Sequence, residues 1–439
     1  MAEKNLRMMR AWATAVLLAV TVIATDPAAA KDGSAVDMSA VERVLPKRPT
    51  IPARVFRLSD FGAVGDGRAM DTEAFAKAIA AVRRAGGGRL VVPAGRYRVR
   101  SVQLCSNLDL HLEAGAVIAA PDNFADFGMP DPATLHSQDE VKAKVRFPLA
   151  IVSGRHLHDV AITGDGVFDG KGALWWAWSE RAARARPGRL VYRRPNLLVI
   201  DGCERLLVAD ITLRNSPKFH LVPRHVRDLT IERVKVRAPD DAPNTDAIDP
   251  GPVTNALIRG CDLDTGDDDI VIKSGGRNVL IEDCTIRHGH GISIGSETTE
   301  GVDGMLVRRC TFDGTDNGIR IKSMRGAGGL VRNVRYTDIR MKNVGDAMVL
   351  DLTYTDNNRP NFKGEPGRVP AIRDVLIDHV TVEGAKHAGR IVGLPESRIT
   401  GITLRDVSIT AADDFVVRDA DAPVFENVTR TIKAPAAAK

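Results

Sequence analysis

Large rings are scarce in this chain: aromatic residues make up 5% of its 439 positions. A core built from it must be filled with aliphatic side chains. Beyond residue 30 no apolar run reaches the ~20 residues that a spanning helix needs, so no internal membrane crossing is expected. No lysine- and arginine-rich run interleaved with aromatics occurs, which argues against a dedicated nucleic-acid surface. The five cysteines, at 105, 203, 261, 284 and 310, cannot all pair, and no CxxC spacing points to zinc.

What remains is 44% hydrophobic and 27% charged, with 39 glycines, which suits a large globular or solenoid core. The N-terminus carries Lys4, Arg7 and Arg10, an apolar run from Ala11 to about Ala24, and Ala28-Ala29-Ala30. We read residues 1–30 as a signal peptide, hence a secreted or periplasmic protein; the apolar run is short for a membrane anchor. Its removal takes Lys4, Arg7 and Arg10 together with Glu3 and Asp26, lowering the formal charge from +5 to +4. This mild excess suits a polyanionic partner.

A repeat organises the rest. The pattern apolar-x-apolar-x-x-apolar-x-apolar recurs from Leu206, Leu229, Ala256, Val279, Met305, Val334, Val375 and Ile402, at intervals of 23, 27, 23, 26, 29, 41 and 27 residues. Each unit reads as two short alternating strands around a bend, and a period in the twenties means stacked coils. The expected fold class is all-β: a single right-handed parallel β-helix over residues 53–430, after a linker at 31–52 and before a tail at 431–439. Cys261, Cys284 and Cys310 share one phase and should form an inward ladder of small side chains. Near the N-terminus, Asp71 is placed to cap a helix with Phe75, Ile79 and Val82 on one face and Gly86-Gly87-Gly88 at its end, a plug for the open solenoid. The preceding "FGAVGDG" reads as a turn, because it lacks the strand-to-helix setting of a phosphate loop. Trp175, Trp176 and Trp178 read as packing rather than sugar stacking.

A second alignment points to chemistry. "NTDAID", "GDDDIVI", "GHGISI" and "DNGIRI" each lead into a strand whose first apolar residue is Ile248, Ile270, Ile292 or Ile319, spaced 22, 22 and 27. Asp246, Asp268 and His290 each precede their isoleucine by two, so stacking brings them to one phase on three coils. Strict alternation would bury them, which places them on the bend before each strand. In the fourth coil Arg320 and Lys322 alternate with inward Ile319 and Ile321 and face outward together. Asp267 and Asp268 with Asp246 thus make a three-carboxylate cluster bordered by His290, Arg320 and Lys322. Adjacent carboxylates perturb one another's pKa and suit either a cation or acid/base work. One protonated carboxyl, one ionised carboxylate and fixed cations fit cleavage of a glycosidic bond in an acidic sugar polymer. Calcium is the competing reading, but it would not explain Arg320 and Lys322.

The motifs "NTD" (244–246), "GDD" (266–268), "GHG" (289–291) and "RIK" (320–322), in this order and spacing, resemble the signatures of the polygalacturonases, glycoside hydrolase family 28. "DFGAVGDG", "VPAGRY", "LHLEAGAVI" and "GDGVFDGKG" extend the similarity over most of the chain after residue 55. The resemblance implies hydrolysis of α-1,4-galacturonosyl bonds in homogalacturonan with inversion, by a monomer using no metal or cofactor. It implies Asp267 as general acid, Asp246 and Asp268 as water activators, and His290 as the group that tunes them. Arg320 and Lys322 would bind a uronate carboxylate, with Asn244 and Tyr354 in further substrate contact. Asp269 stands outside the set. Internal cleavage is expected over end attack. The rivals are a calcium-dependent pectate lyase, a rhamnogalacturonan hydrolase, and a non-catalytic β-helical carbohydrate-binding protein.

Overall fold

The computed structural model describes residues 20–22, 36, 38–145, 150–186, 189–354 and 365–433. The expected leader, residues 1–30, lies outside the described residues except for the strand Val20–Val22, and so does the tail from residue 434.

The chain winds into a right-handed parallel β-helix. One lap is represented by the strands Asp262–Asp264, Ile270–Ile272 and Gly275–Glu282, one on each of three faces, and the next by Thr285–Ile286, Ile292–Ile294 and Gly301–Arg308. All three pairs run parallel. The register is the one that the repeat implies. Leu206, Leu229, Ala256, Val279, Met305, Val334, Val375 and Ile402 form one continuous column. Aliphatic side chains at these and the alternate positions fill the bore, which is how a chain poor in rings builds its core. Cys261, Cys284 and Cys310 are buried in it as free thiols.

The residue just before that column makes the turn. Arg205, Asp228, Asn255, Asn278, Gly304, Asn333, Asp374 and Gly401 all adopt left-handed backbone, with φ from 53° to 81°. Asn, Asp and Gly dominate because they tolerate that region at least cost. Asn278 Nδ2 donates to Asn255 Oδ1 at 3.1 Å, and Asn255 Nδ2 to Asp228 Oδ1 at 3.3 Å, so the bends also bond to one another.

At the N-terminal end the helix Thr72–Arg84 buries Phe75, Ile79 and Val82, with Ala74 and Ala78, against the first coils. Gly86 and Gly87 close it, with Gly87 N donating to Val82 O at 3.0 Å. The capping expected of Asp71 is not made. Its carboxylate instead accepts from Val64 N at 2.7 Å and Gly65 N at 3.3 Å, which fixes the "FGAVGDG" turn beneath the helix. The turn offers two unpaired N–H groups to the one carboxylate in reach, and they outcompete the helix end.

Within the stretch expected as a linker, residues 38–50 lie across the outside of the solenoid. Met38, Val41 and Val44 cover outward-facing Leu257, Leu280 and Leu306, and Arg48 pairs with Glu232 at 2.8 Å. Trp175 is fully buried between Phe124 and Phe127, with ring centroids at 5.1 and 5.2 Å.

The left-handed bends yield a stability test. Asn278→Val should cost about 1–2 kcal/mol from backbone strain alone, whereas Asn278→Gly should keep the bend and lose only the side-chain bond. Thermal denaturation should therefore rank wild type and Gly well above Val; a Val variant as stable as Gly would contradict the strain argument.

Candidate active site

Backbone bonds assemble the site. Ala247 N donates to Asp268 O, and His290 N to Asp267 O, each at 2.9 Å. These bonds, with the ladder Ile248–Ile270–Ile292–Ile319, put Asp246, Asp268 and His290 on consecutive coils at one bend. All sit before their strands. Ile319 and Ile321 point into the core and turn Arg320 and Lys322 outward, toward the acids.

The three carboxylates have different surroundings. Asp268 is locked: Lys322 Nζ reaches its Oδ2 at 2.7 Å, while Ser293 Oγ at 2.8 Å and Arg320 Nη1 at 3.3 Å reach its Oδ1. Asp246 accepts from Lys273 Nζ at 2.8 Å through Oδ2, and its Oδ1 has no partner among the described residues. Asp267 Oδ1 accepts from the Asp268 N–H at 2.9 Å and lies 3.2 Å from His290 Nδ1; its Oδ2 is 3.4 Å from Asn244 Nδ2. The side chains of Asp246 and Asp268 are 2% and 3% exposed, and that of Asp267 is 20% exposed. Only Asp267 in the cluster presents appreciable surface to the groove. Tyr354 stands with its ring 5.6 Å from the Arg320 guanidinium and 5.4 Å from Lys322 Nζ.

The model of glycosyl hydrolases family 28 matches residues 89–423. The chain belongs to that family. A protein of Vitis vinifera named probable polygalacturonase is 30% identical over 372 residues, 81% of this chain and 74% of its own length. Among solved structures, a hyperthermoactive exopolygalacturonase from Thermotoga maritima superposes with a TM-score of 0.73 at 26% identity, covering 89% of this chain and 96% of its own. A polygalacturonase from Erwinia carotovora ssp. carotovora gives 0.68 at 26% identity, covering 85% and 98%.

In this family 28 hydrolase several groups that the motifs did not announce complete the cluster. Lys273 bridges Asp246 and Asp249, at 2.8 and 3.2 Å, and lies 4.2 Å from the Phe219 ring centroid. The ladder puts Lys273 opposite Gly251, five residues from Asp246, and only its long side chain reaches back to the acid, so no periodic signal marks it. Asp316 faces His290 Nε2 at 3.4 Å, so the imidazole has a carboxylate on each nitrogen. Arg194 donates to Asn244 Oδ1 at 2.7 Å, which gives Asn244 a structural bond as well as its approach to Asp267. Asp269, the third acid of the run, is fully buried and accepts from Gly291 N at 2.9 Å, holding the "GHG" bend.

These neighbours sort the protonation states. Burial pushes Asp246 up to about 8, only partly offset by Lys273. Burial also acts on Asp267 and Asp268, but His290 outweighs it at Asp267, and Lys322 with Arg320 outweighs it at Asp268, leaving both below the usual carboxylate range. Burial would lower His290, yet the bonds to Asp267 and Asp316 raise it to about 9. At neutral pH the triad thus holds one proton, on Asp246, beside a charged His290.

Donor atoms of Asp267, Asp268 and His290 lie within 4.8 Å of one another, close enough to consider a metal ion. The donor set does not fit one. A metal needs a neutral imidazole nitrogen and free carboxylate lone pairs. Both nitrogens of the charged His290 donate toward carboxylates, and Asp268 is already held by Lys322, Arg320 and Ser293.

Lys273 can be tested by removal. Lys273→Met leaves Asp246 and Asp249 without their shared cation; because the lysine keeps some solvent contact, the loss should lie at the low end of the ~3–5 kcal/mol seen for broken buried pairs. Adding Asp249→Asn should restore part of that stability in chemical denaturation. No recovery in the double variant would show that the bridge is not electrostatic.

Proposed function

We propose that this protein is a polygalacturonase that hydrolyses α-1,4-galacturonosyl linkages in homogalacturonan by single displacement with water. The observation that carries this reading is the surface of Asp267, next to a cation pair and backed by two buried carboxylates. A general acid must touch the leaving oxygen, and Asp267 is the acid that reaches the groove. Asp246 and Asp268 orient and deprotonate the attacking water, for which Asp246 Oδ1 is unpartnered. Arg320 and Lys322, with Tyr354 beside them, receive the uronate carboxylate.

The proton on Asp246 has to reach Asp267 before bond cleavage. A bound uronate brings negative charge to Arg320 and Lys322, weakens their hold on Asp268, and raises the affinity of exposed Asp267 for the proton. Asp246, then ionised, becomes the base. The short gap between Asp267 and Asp268 resembles the spacing of retaining enzymes, ~5 Å, rather than the ~6.5–9.5 Å of inverting ones. Asp268, however, is 3% exposed with both oxygens engaged, and so is poorly placed to attack an anomeric carbon. With Asp268 so held, Asp246 is left as the base, and inversion is the reading the family supports. Residues 1–30 act as a signal peptide in this reading, and the substrate is the acidic polysaccharide of plant cell walls.

Asp267→Asn should lower kcat by at least ~10²-fold on polygalacturonate, read as new reducing ends. Proton NMR should show an inverted anomer as first product, and a chelator should change nothing; a retained anomer or an unsaturated, ultraviolet-absorbing product would overturn the mechanism.

The pH profile follows from the raised groups. Asp246 keeps its proton below about 8 and His290 its charge below about 9, so kcat/KM should hold at neutral pH and fall through that window as pH rises. Asp316→Asn removes one carboxylate from His290 and should move the alkaline limb to lower pH while leaving the plateau rate nearly unchanged. An unmoved limb would exclude Asp316 from control of His290.

A further inference from the structure

The bend that carries the candidate acids takes ten residues at Asp246 and five on each of the next two coils, but far more on two coils before them. Residues 265–269 and 287–291 suffice to round it where Asp267, Asp268 and His290 lie. After the strand Ala116–Ala119 the described residues 120–145 lie between it and the strand Ala150–Gly164, and after the strand Val167–Asp169 the described residues 170–186 and 189–195 lie before the strand Asn196–Ala209. The ladder fixes the equivalence: Asp169, Arg214, Arg237 and Asp264 stack on one side of the bend, and Leu198, Leu221, Ile248 and Ile270 on the other.

The two insertions fold onto each other and onto the catalytic coils. Besides the rings around Trp175, Gln138 exchanges two hydrogen bonds with the Val191 backbone, at 2.9 and 3.0 Å. Trp176 Nε1 donates to Ser216 O at 3.0 Å, and Arg194 Nη1 donates to Pro217 O and Pro243 O at 2.9 and 2.6 Å. The second insertion is thereby pinned to the coil just before Asp246 and, through Pro243, to the bend that carries Asp246 itself.

Burial along the groove reports the consequence. Val199 and Val222 alternate with core residues and so face outward, yet they are 1% and 5% exposed, in a separate apolar cluster with Ala150 and Phe219. At the far end of the same column Val416 is 59% exposed. On the coils between, the side chains of the acids and their cations cover the floor. Val271 and Val349 of the same column are equally buried under those side chains, so what marks the N-terminal end is the cover itself: Ala150, where the first insertion rejoins the sheet, and Phe219, beside the Pro217 carbonyl that binds Arg194 of the second.

We infer that the groove is walled off on the N-terminal side of Asp246, Asp267 and Asp268, so that the enzyme releases a short product from one end of the polyuronate instead of cutting internally. The inference rests on the reading of the protein as a polygalacturonase, and it replaces the internal cleavage expected from sequence. Coils are ~4.8 Å apart, close to the length of one pyranose unit, so a wall beginning one coil before Asp246 leaves room for about one or two sugars beyond the scissile bond. A longer polymer cannot thread past it.

Wild-type enzyme decides the matter through its earliest products from polygalacturonate, separated by size. Mono- or digalacturonate alone from the first time points, with viscosity falling slowly per reducing end, is the expected result; intermediate-sized oligomers at early times would overturn it. Oligogalacturonates blocked at one end, by borohydride reduction in one set and by a terminal unsaturated unit in the other, provide a second readout. One set should resist and the other be cut, and equal cleavage of both would also overturn the inference. Absence of any new reducing ends would instead remove the underlying polygalacturonase reading, so the two failures are distinct.

Discussion

Parallel ladder bonds between coils hold the bends before Ile248, Ile270 and Ile292 in fixed register, and the positions of Asp246, Asp268 and His290 follow from them. A slip of one residue in any coil would exchange inward and outward faces and send the isoleucines to solvent. The fully buried column is what makes that slip prohibitive, so the core specifies the geometry of the chemistry. The cost is borne at the bends, where residue after residue adopts left-handed backbone that Asn, Asp and Gly accept with little strain.

Much of this was legible beforehand because the period of a solenoid is written in the chain. The eight apolar quartets gave the register, and the offset of two from each isoleucine brought Asp246, Asp268 and His290 together. What escaped was whatever depended on side-chain direction. Asp71 has the spacing of a helix cap, but two N–H groups of the preceding turn lie closer to its carboxylate. Lys273 and Asp316 were not singled out at all, because periodicity says nothing about which side chains bend back over a groove. The insertions between the strands at 119 and 150 and at 169 and 196 escaped for the opposite reason: they interrupt the repeat, so no period marks them.

The linkage between Asp268 and its cations is better understood as a device for specificity than as a stabilising bond. Two charges removed from water seldom gain net stability from their pairing. What the pairing does in this structure is hold Arg320 and Lys322 beside the acids. Tyr354 packs against both and limits where they can go.

Charge balance then limits what can occupy the groove. The cations gathered here are Lys273, His290, Arg320, Lys322, Arg194 and Lys218, and the acids acting on them or on one another include Asp249, Asp267, Asp268, Asp316, Glu180 and Glu297. Lys218 lies 4.5 Å from the Phe219 ring centroid and makes no ion pair with the described residues; burial and the nearby Lys273 and Arg194 depress its affinity for a proton. Lys218 is thus a cation in a site where water is restricted with no carboxylate bound to it among the described residues, a condition that costs energy until an anion arrives. A neutral polysaccharide would leave that cost in place, whereas a uronate carboxylate seated beside Lys218 would remove it. An unpaired cation at the edge of the site thus favours an acidic chain over a neutral one.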